Sequence, residues 1–243
     1  MNVVVLTSSR RGSASVVIDE LMRSDGVKIK MVVLSEGRVR DRMKLYRNKI
    51  KKMIGIGLPG SMNGVRMRKW YTDDIAGYVD VVSVEELCSA MNVPFRTTPT
   101  INSRETVELF KEADADLGLS LGNGYIGSKV FGIPKFGMIN IHHEELPAYQ
   151  NAQSIIWQIY NGSRFTGYTI HQIDKGIDTG KIIYSERIPI RFRETLSDTV
   201  AFNYAILLKR SAEGLARVLA NFTFYAENAY AQSKGHSYTT PTL

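Results

Sequence analysis

Apolar runs of strand length alternate with helix-length segments through the first 145 residues of the chain. The runs lie at 2–7 (NVVVLT), 27–34 (VKIKMVVL), 115–121 (ADLGLSL) and 137–142 (GMINIH), and a helix ending near Arg23 is predicted between the first two. Strands separated by crossover helices predict a mainly parallel sheet with helices on both faces. Ligands of such sheets bind at the carboxyl ends of the strands, so residues that follow the apolar runs are the first candidates for a functional site.

Two four-residue patterns predict where further helices begin. Ser83 with Glu86, and Asn102 with Glu105, have the spacing of capping boxes, and each pair predicts a short helix directly after it. The later segments are predicted to form a helix over 152–162, strands over 167–173 and 181–190, and a final helix over 196–221.

The bulk composition is that of a soluble globular protein, with 243 residues, 44% of them hydrophobic and 23% charged. No segment approaches the roughly 20 apolar residues that a membrane-spanning helix needs, and the first residues lack the basic leader of a signal peptide. We therefore expect a cytoplasmic protein. The one cysteine, Cys88, lies in an apolar-periodic stretch and is interpreted as a small core residue.

Basic residues are concentrated in one segment, 38–69, which holds eleven Lys or Arg and one acidic residue and therefore carries a net charge of +10. We interpret it as an insertion in a single domain that spans 1–243. Apolar residues recur at helical spacing within 38–54, which predicts a helix with a basic face, and the glycine-rich stretch 55–71 is predicted to be a loop. The helix could pack on its own protein with its charges in water, or lie on an anionic membrane surface. It could also contact a nucleic acid, a nucleotide diphosphate or a second copy.

A run of two histidines and two glutamates, His142 to Glu145, directly follows a predicted strand. Consecutive side chains of a strand point to opposite faces, so His142 and His143 cannot both bind one ion within it, and no second His or Cys cluster exists in the sequence. We therefore expect no metal. Asn140 and His142, by contrast, share a face, and an amide with an imidazole suits the stabilisation of an oxyanion. A polar pair satisfied by loop backbone remains the alternative.

The sequence Gly-Asn-Gly-Tyr-Ile-Gly at 122–127 has the form of a dinucleotide-binding fingerprint. The helix that should follow it is cut short at Gly132-Ile133-Pro134, which leaves no amide-lined helix N-terminus for a pyrophosphate. We interpret 122–127 as a loop that presents its backbone to a different ligand.

Four motifs occur in one order: Asn140-Ile141-His142, Leu146-Pro147-x-Tyr149, Thr166-Gly167-Tyr168-Thr169-Ile170-His171 and Ile177-Asp178-Thr179-Gly180-Lys181-Ile182-Ile183. Together they resemble the signature of the folate-dependent formyltransferase family, whose members act on glycinamide ribonucleotide, methionyl-tRNA or nucleotide-linked amino sugars. The resemblance implies a Rossmann-like, mainly parallel sheet and transfer of a formyl group from 10-formyltetrahydrofolate to an amine.

The resemblance also implies roles for individual residues. The catalytic trio falls on Asn140, His142 and Asp178, with Asp174 as a rival carboxylate that is expected to cap its own loop. The loop 122–127 falls where the family binds the pterin ring. The implied cofactor-binding residues are Gly124, Tyr125, Ile126, Leu146 and Pro147.

The chain departs from the family pattern beside the implied site. His143-Glu144-Glu145 replaces the usual small and apolar residues, and Asn151 replaces the usual glycine. We expect His143 and the two glutamates to line the acceptor side of the site or to face solvent. We also expect no second, C-terminal tRNA-binding domain, which disfavours tRNA as the acceptor.

The loop after the first strand is the candidate acceptor site, because its amides and the helix N-terminus can hold an anion. Its residues are Arg10, Arg11, Gly12 and Ser13, and a plain turn is the alternative. We expect a small phosphorylated amine, with a nucleotide-linked amino sugar preferred over glycinamide ribonucleotide. A catalytically silent protein that binds folate or a sugar nucleotide is the alternative of another class.

Overall fold

The computed structural model describes residues 1–37, 42–151 and 154–238. The strands are β1 (Asn2–Thr7), β2 (Lys28–Ser35), β3 (Phe95–Thr98), β4 (Leu117–Leu121), β5 (Met138–His142), β6 (Phe165–Gln172) and β7 (Ile182–Pro189). The helices are α1 (Ser13–Arg23), α2 (Arg42–Thr72), α3 (Val84–Ala90), α4 (Arg104–Ala113), α5 (Ser128–Phe131), α6 (Ile156–Tyr160), α7 (Leu196–Ala220) and α8 (Phe222–Glu227).

The seven strands form one sheet in the order β3-β2-β1-β4-β5-β6-β7. The pairings from β3 to β5 are parallel, and β6 and β7 are antiparallel additions at one edge. The prediction of a mainly parallel sheet is confirmed, although β3 was not predicted. The strand order reverses between β1 and β4, and open sheets of this kind bind ligands beside such a reversal.

Both faces of the sheet are covered, as the predicted crossovers require. Along β1, Val3 and Val5 pack into one apolar cluster with α1 and α7, while Val4 and Leu6 pack into a second cluster with α4. All four side chains are fully buried. A parallel strand buried on both faces reads as a continuous apolar run, which is the pattern that this segment shows.

The helix predicted within 38–54 is confirmed from Arg42 onward, whereas the prediction of a loop over 55–71 is wrong. Residues 38–41, with the predicted apolar position Val39, lie outside the described residues. Helix α2 continues to Thr72 and is interrupted at Gly57, where φ is 72°. Near its end Met67 and Trp70 are buried in the main core. Such burial outweighs the low helix propensity of glycine, which costs about 1 kcal/mol per residue.

Within the described ranges, no helix combines the length and the apolar character that crossing a membrane would require.

The capping box predicted at the start of α3 is confirmed. The hydroxyl of Ser83 accepts a hydrogen bond from the amide of Glu86 at 3.2 Å, and the Glu86 carboxylate accepts one from the amide of Ser83 at 3.2 Å. These reciprocal bonds satisfy two amide donors that the first turn of a helix otherwise leaves unpaired.

The predicted cap at Asn102 is wrong, because Ser103 caps α4 by accepting from the amide of Thr106 at 3.3 Å. Asn102 instead bonds to the glycine-rich loop. Its amide donates to the carbonyl of Tyr125 at 3.0 Å and accepts from the amide of Gly127 at 2.6 Å. Asn102 therefore does not cap a helix but binds Tyr125 and Gly127, which lie more than 20 residues later in the chain.

A glycine in α7 sets the distance between this helix and the sheet. A Cβ atom built at Gly214 would lie 2.0 Å from the hydroxyl oxygen of Tyr168. Tyr168 is fully buried and donates to the Glu186 carboxylate at 2.8 Å, which restricts its movement.

We expect Gly214→Ala to lower the free energy of unfolding by about 1–3 kcal/mol through this steric conflict. The loss occurs although alanine favours a helix by about 1 kcal/mol. Urea unfolding of the purified protein measures the change. Lys209→Ala, at an exposed position of the same helix, is the control and should remain within about 0.5 kcal/mol of wild type. A Gly214→Ala protein as stable as this control would show that Tyr168 can move aside.

Candidate functional site

The antiparallel pairing of β5 with β6 brings the first polar side chains of the site together. Asn140 lies opposite His171 in the register, and the amide nitrogen of Asn140 is 3.2 Å from Nε2 of His171. On the other side of the ring, Nδ1 of His171 donates to the carbonyl of Gln172 at 2.9 Å. Burial lowers the pKa of His171 against the opposing effect of the nearby Asp178 carboxylate. A neutral His171 with its proton on Nδ1 accepts from Asn140 and so orients the amide.

His142 emerges at the end of β5, two residues beyond Asn140. Its Nε2 is 2.8 Å from the carbonyl oxygen of Tyr149, and its Nδ1 is 3.6 Å from Oδ2 of Asp178. The other oxygen of Asp178, Oδ1, lies 3.6 Å from Nε2 of His171. The carboxylate therefore sits between two imidazoles, and both ring nitrogens of His142 face an acceptor.

Asp178 lies in the loop between β6 and β7, at a left-handed φ of 54°. The amide of Asn151 donates to its Oδ2 at 3.1 Å, which fixes the carboxylate toward the end of β5. Asp174 caps the same loop, as expected, because its Oδ1 accepts from the amide of Gly176 at 2.9 Å and from the Thr179 hydroxyl at 2.7 Å. The two carboxylates thus make different contacts within one loop.

These groups open into a cavity of about 370 Å³. Of the residues predicted for the site, it is lined by Asn140, His142, Asp178, Gly124, Tyr125, Ile126 and Ser13. Leu146, Pro147, Arg10, Arg11 and Gly12 lie outside the lining. Arg10 is exposed and forms ion pairs with Glu36 at 3.7 Å and Glu85 at 3.4 Å. In the part of the chain that the structure describes, no three His, Cys, Asp or Glu side chains are arranged to hold a metal ion.

The glycine-rich loop forms one wall of this cavity, and the side chain of its Asn123 binds the loop to neighbouring segments. The Asn123 amide donates to the carbonyl of Leu6 at 2.6 Å and accepts from the Ser8 hydroxyl at 2.8 Å. Together with the contacts of Asn102, these bonds fix the loop backbone against the ends of β1 and β4. The helix that follows, α5, is four residues long, which agrees with the interpretation that the fingerprint is a false match.

The run His142 to Glu145 divides between three environments. His143 lines the cavity with Ser154 and Tyr204, and its Nε2 is 3.1 Å from the Ser211 hydroxyl. Burial, together with the neighbouring His142, lowers the pKa of His143 to about 3, so the ring is neutral near pH 7.

The two glutamates do not line the cavity. Glu145 pairs with Arg187 at 3.2 Å. Glu144 is fully buried, so the expectation that it lines the site or faces solvent is wrong. Its Oε1 accepts from the amide of Ile155 at 3.0 Å, and Oε2 has no hydrogen-bond partner among the described residues. Glu144 therefore anchors the chain next to Ser154, which lines the cavity.

Sequence reasoning assigned no role to His171 or to Gln232. His171 stood within a motif, but its contact with Asn140 depends on the strand register, which a motif does not specify. Gln232 donates to the carbonyls of Asp178 and Gly180 from a segment without any motif.

The formyl transferase family model matches residues 1–202. The chain belongs to this family. Similar proteins include methionyl-tRNA formyltransferase from Clostridium beijerinckii, 35% identical over 136 residues, which is 52% of this chain and 44% of that protein. GDP-perosamine N-formyltransferase from Brucella melitensis is 35% identical over 105 residues, which is 43% of this chain and 40% of that protein. The chain thus matches less than half the length of either relative.

The fold matches solved formyltransferase structures over nearly the whole chain. Phosphoribosylglycinamide formyltransferase from Bacillus halodurans superposes with a TM-score of 0.61 at 19% identity, covering 96% of this chain and all of that one. The family resemblance seen in the four motifs is therefore confirmed, together with the Rossmann-like fold that it implied.

The buried carboxyl of Glu144 predicts a dependence of stability on pH. Burial raises the pKa of Glu144 well above its ordinary value. The native state then holds the proton more tightly than the unfolded state, so the contribution of this group falls as pH rises from the ordinary carboxyl pKa toward the raised one. Each unit of elevation costs about 1.4 kcal/mol once the unfolded group is ionised.

We expect Glu144→Gln, which keeps the acceptor for Ile155 and cannot ionise, to be more stable than wild type at pH 7 by more than about 1 kcal/mol. The difference should shrink as pH falls toward 4.5, the ordinary value for a glutamate. Denaturant unfolding at a series of pH values measures it. Glu112→Gln, at an exposed position of α4, is the matched control and should show no such trend. A difference that stayed constant with pH would contradict a raised pKa at Glu144.

Proposed function

We propose that this protein transfers a formyl group from 10-formyltetrahydrofolate to a primary amine of a small phosphorylated molecule, as one catalytic domain over residues 1–243. The observation that carries the proposal is that Asn140, His142 and Asp178 meet in one cavity beside a rigidly held glycine-rich loop. Membership of the formyl transferase family supports it. The rival, a silent binding protein, gives no reason for a carboxylate placed between two imidazoles.

The folate fits the wall formed by residues 122–126. That stretch lines the cavity, and bonds from Asn102 and Asn123 hold its backbone in place. Backbone amides and carbonyls suit the donor and acceptor pattern of a pterin ring, and the fully buried Ile126 gives that wall an apolar floor. Leu146 and Pro147 lie outside the cavity lining, so we assign them no contact with the ring. When bound, the folate supplies an activated formyl group.

The trio then acts on the formyl carbonyl and the attacking amine. As the amine nitrogen bonds to the formyl carbon, negative charge grows on the formyl oxygen, and the Asn140 amide is the donor that stabilises it. In the proposed mechanism His142 acts as the imidazolium, whose two N–H groups face the Tyr149 carbonyl and the Asp178 carboxylate and whose positive charge lies beside that oxygen. Asp178 accepts the proton that leaves the amine and returns it to the folate nitrogen as the bond between that nitrogen and the formyl carbon breaks.

We expect Asn140→Ala and His142→Ala each to lower kcat by at least about 10²-fold, because each removes a group that stabilises developing charge. Release of tetrahydrofolate from 10-formyltetrahydrofolate measures turnover, with thermal unfolding as the check on folding. His236→Ala is the histidine control, since that side chain is exposed and lies outside the cavity lining. A folded His142→Ala protein that turned over at the wild-type rate would remove His142 from the mechanism.

The silent-protein alternative is decided by the same preparations. A stable formylated folate that raises the melting temperature of wild type, without any formyl transfer to any amine, would favour a binding protein.

For the acceptor we propose a nucleotide-linked amino sugar. The Brucella melitensis relative carries the name of an enzyme for such a substrate. In this chain Ser13, at the start of α1, lines the cavity, with Arg10 and Arg11 just before it in the sequence. An acceptor phosphate at this end would lie near the helix N-terminus and the two arginines. One observation favours glycinamide ribonucleotide instead, because the Bacillus halodurans structure matches over its whole length.

A panel of acceptors separates these substrates. We expect turnover with nucleotide-linked amino sugars, and a KM for the sugar nucleotide that rises about tenfold or more when Arg10→Ala and Arg11→Ala are combined, since charge-assisted bonds contribute about 1.5–3 kcal/mol each. Arg23→Ala, distant from the cavity lining, is the matched control. Turnover confined to glycinamide ribonucleotide would overturn the choice of sugar, and turnover confined to methionyl-tRNA would overturn the choice of a small acceptor.

A further inference from the structure

A segment near the C-terminus, residues 229–238, crosses two loops of the site. At its start, Tyr230 and Ile182 exchange backbone hydrogen bonds of 2.9 and 3.1 Å at the beginning of β7. At its end, the carbonyl of His236 accepts from the amide of Gln150 at 2.9 Å, and the Tyr238 ring stacks on Tyr149 with 5.4 Å between centroids. The segment thus joins the loop that carries Asp178 to the loop whose Tyr149 carbonyl binds His142. The family match ends before it, at residue 202.

Between these two attachments, the side chain of Gln232 binds the Asp178 loop directly. Its amide nitrogen lies 3.0 Å from the carbonyl oxygen of Asp178 and 2.7 Å from that of Gly180. One amide group therefore donates to two carbonyls two residues apart and fixes the local path of the loop. Gln150 adds a longer bond of 3.3 Å to the Asp178 carbonyl.

The loop needs such bonds because its backbone is strained at Asp178 and closely packed at Gly180. Asp178 has a φ of 54°, in the left-handed region that costs a non-glycine residue about 1 kcal/mol or more. At Gly180 a Cβ atom would lie 1.8 Å from the carbonyl oxygen of Gln172, so the loop passes directly against β6. Conformations of this kind persist where surrounding contacts hold them.

The Asp178 carboxylate depends on this backbone for its position. Its two oxygens are each 3.6 Å from an imidazole nitrogen, on His142 and on His171, which is longer than a direct hydrogen bond. A small rotation about the Asp178 backbone would change the distance from the carboxylate to each imidazole.

We propose that Gln232 is a positioning residue that holds Asp178 between His142 and His171. Its part in formyl transfer rests on the function proposed above, whereas its structural effect on the two histidines does not. Gln232 leaves Oε1 buried without a partner among the described residues. A buried unpaired carbonyl lowers stability, so any favourable contribution of this side chain comes from its two donor contacts.

The four histidines of the chain supply a direct readout, since an imidazole nitrogen reports on the carboxylate beside it. In ¹⁵N-labelled protein, Gln232→Ala should move the imidazole signals of His142 and His171 and leave those of His143 and His236 in place. Gln232→Met, which nearly keeps the length of the side chain but has no amide donors and no charge, should have the same effect and serves if the alanine variant folds poorly. Lys234→Ala, exposed in the same segment, is the matched control.

Kinetics give the second readout. We expect Gln232→Ala to lower kcat by about tenfold to a hundredfold, the range for a misplaced catalytic group, with little change in the KM for 10-formyltetrahydrofolate. In an Asp178→Asn background the same substitution should lower kcat little further, because a residue that acts through the Asp178 carboxylate has no effect once that carboxylate is gone.

The outcomes separate the two proposals. Imidazole signals of His142 and His171 that stay unmoved in folded Gln232→Ala would overturn the positioning role, as would losses of kcat that simply add in the double variant. A wild-type protein without formyl transfer would overturn the proposed function, and the histidine signals would still decide whether Gln232 positions Asp178.

Discussion

The antiparallel pairing of β5 with β6 is the constraint on which the rest of the site depends. The five parallel strands bring polar side chains to one edge, but only a strand that returns against β5 sets His171 directly opposite Asn140. The turn that follows β6 then carries Asp178 back toward His142. Reversing one strand direction at the edge of a parallel sheet therefore gathers an amide, two imidazoles and a carboxylate from separate parts of the sequence.

Burial affects the titratable groups in and beside the cavity in different ways. His171 and His143 are shifted toward their neutral forms, while Glu144 is shifted toward its protonated form. Buried groups with shifted pKa values cluster at functional sites, although structural groups show such shifts too. Here a group that lines the cavity and a structural group outside its lining both show such a shift. His171 contacts Asn140 in the cavity, whereas Glu144 binds the amide of Ile155 behind it.

The sheet and part of the site can be predicted from the sequence because the patterns that indicate them are local. Contacts between residues that are distant in the sequence leave no such pattern. Period-two alternation is local, so it placed Asn140 and His142 on one face correctly. Asp178 was reached through the family resemblance, because no local pattern brings a loop aspartate to a strand some 35 residues earlier. The predictions of a helix cap at Asn102 and of a loop over 55–71 are wrong because tertiary contacts determine both structures. Gln232 carries no local signal, because its partners are backbone carbonyls that any residue possesses.

The contacts of Gln232 also affect the order in which parts of the protein can fold during synthesis. Every strand of the sheet and the whole of α7 precede residue 229 in the chain. A nascent chain can therefore pair β5 with β6, and cover the sheet with helices, while the carbonyls of Asp178 and Gly180 still lack their glutamine partner. Emergence from the ribosome exit tunnel thus separates the folding of the core from the fixing of the Asp178 loop. The second event must wait for residues 229–238 to emerge.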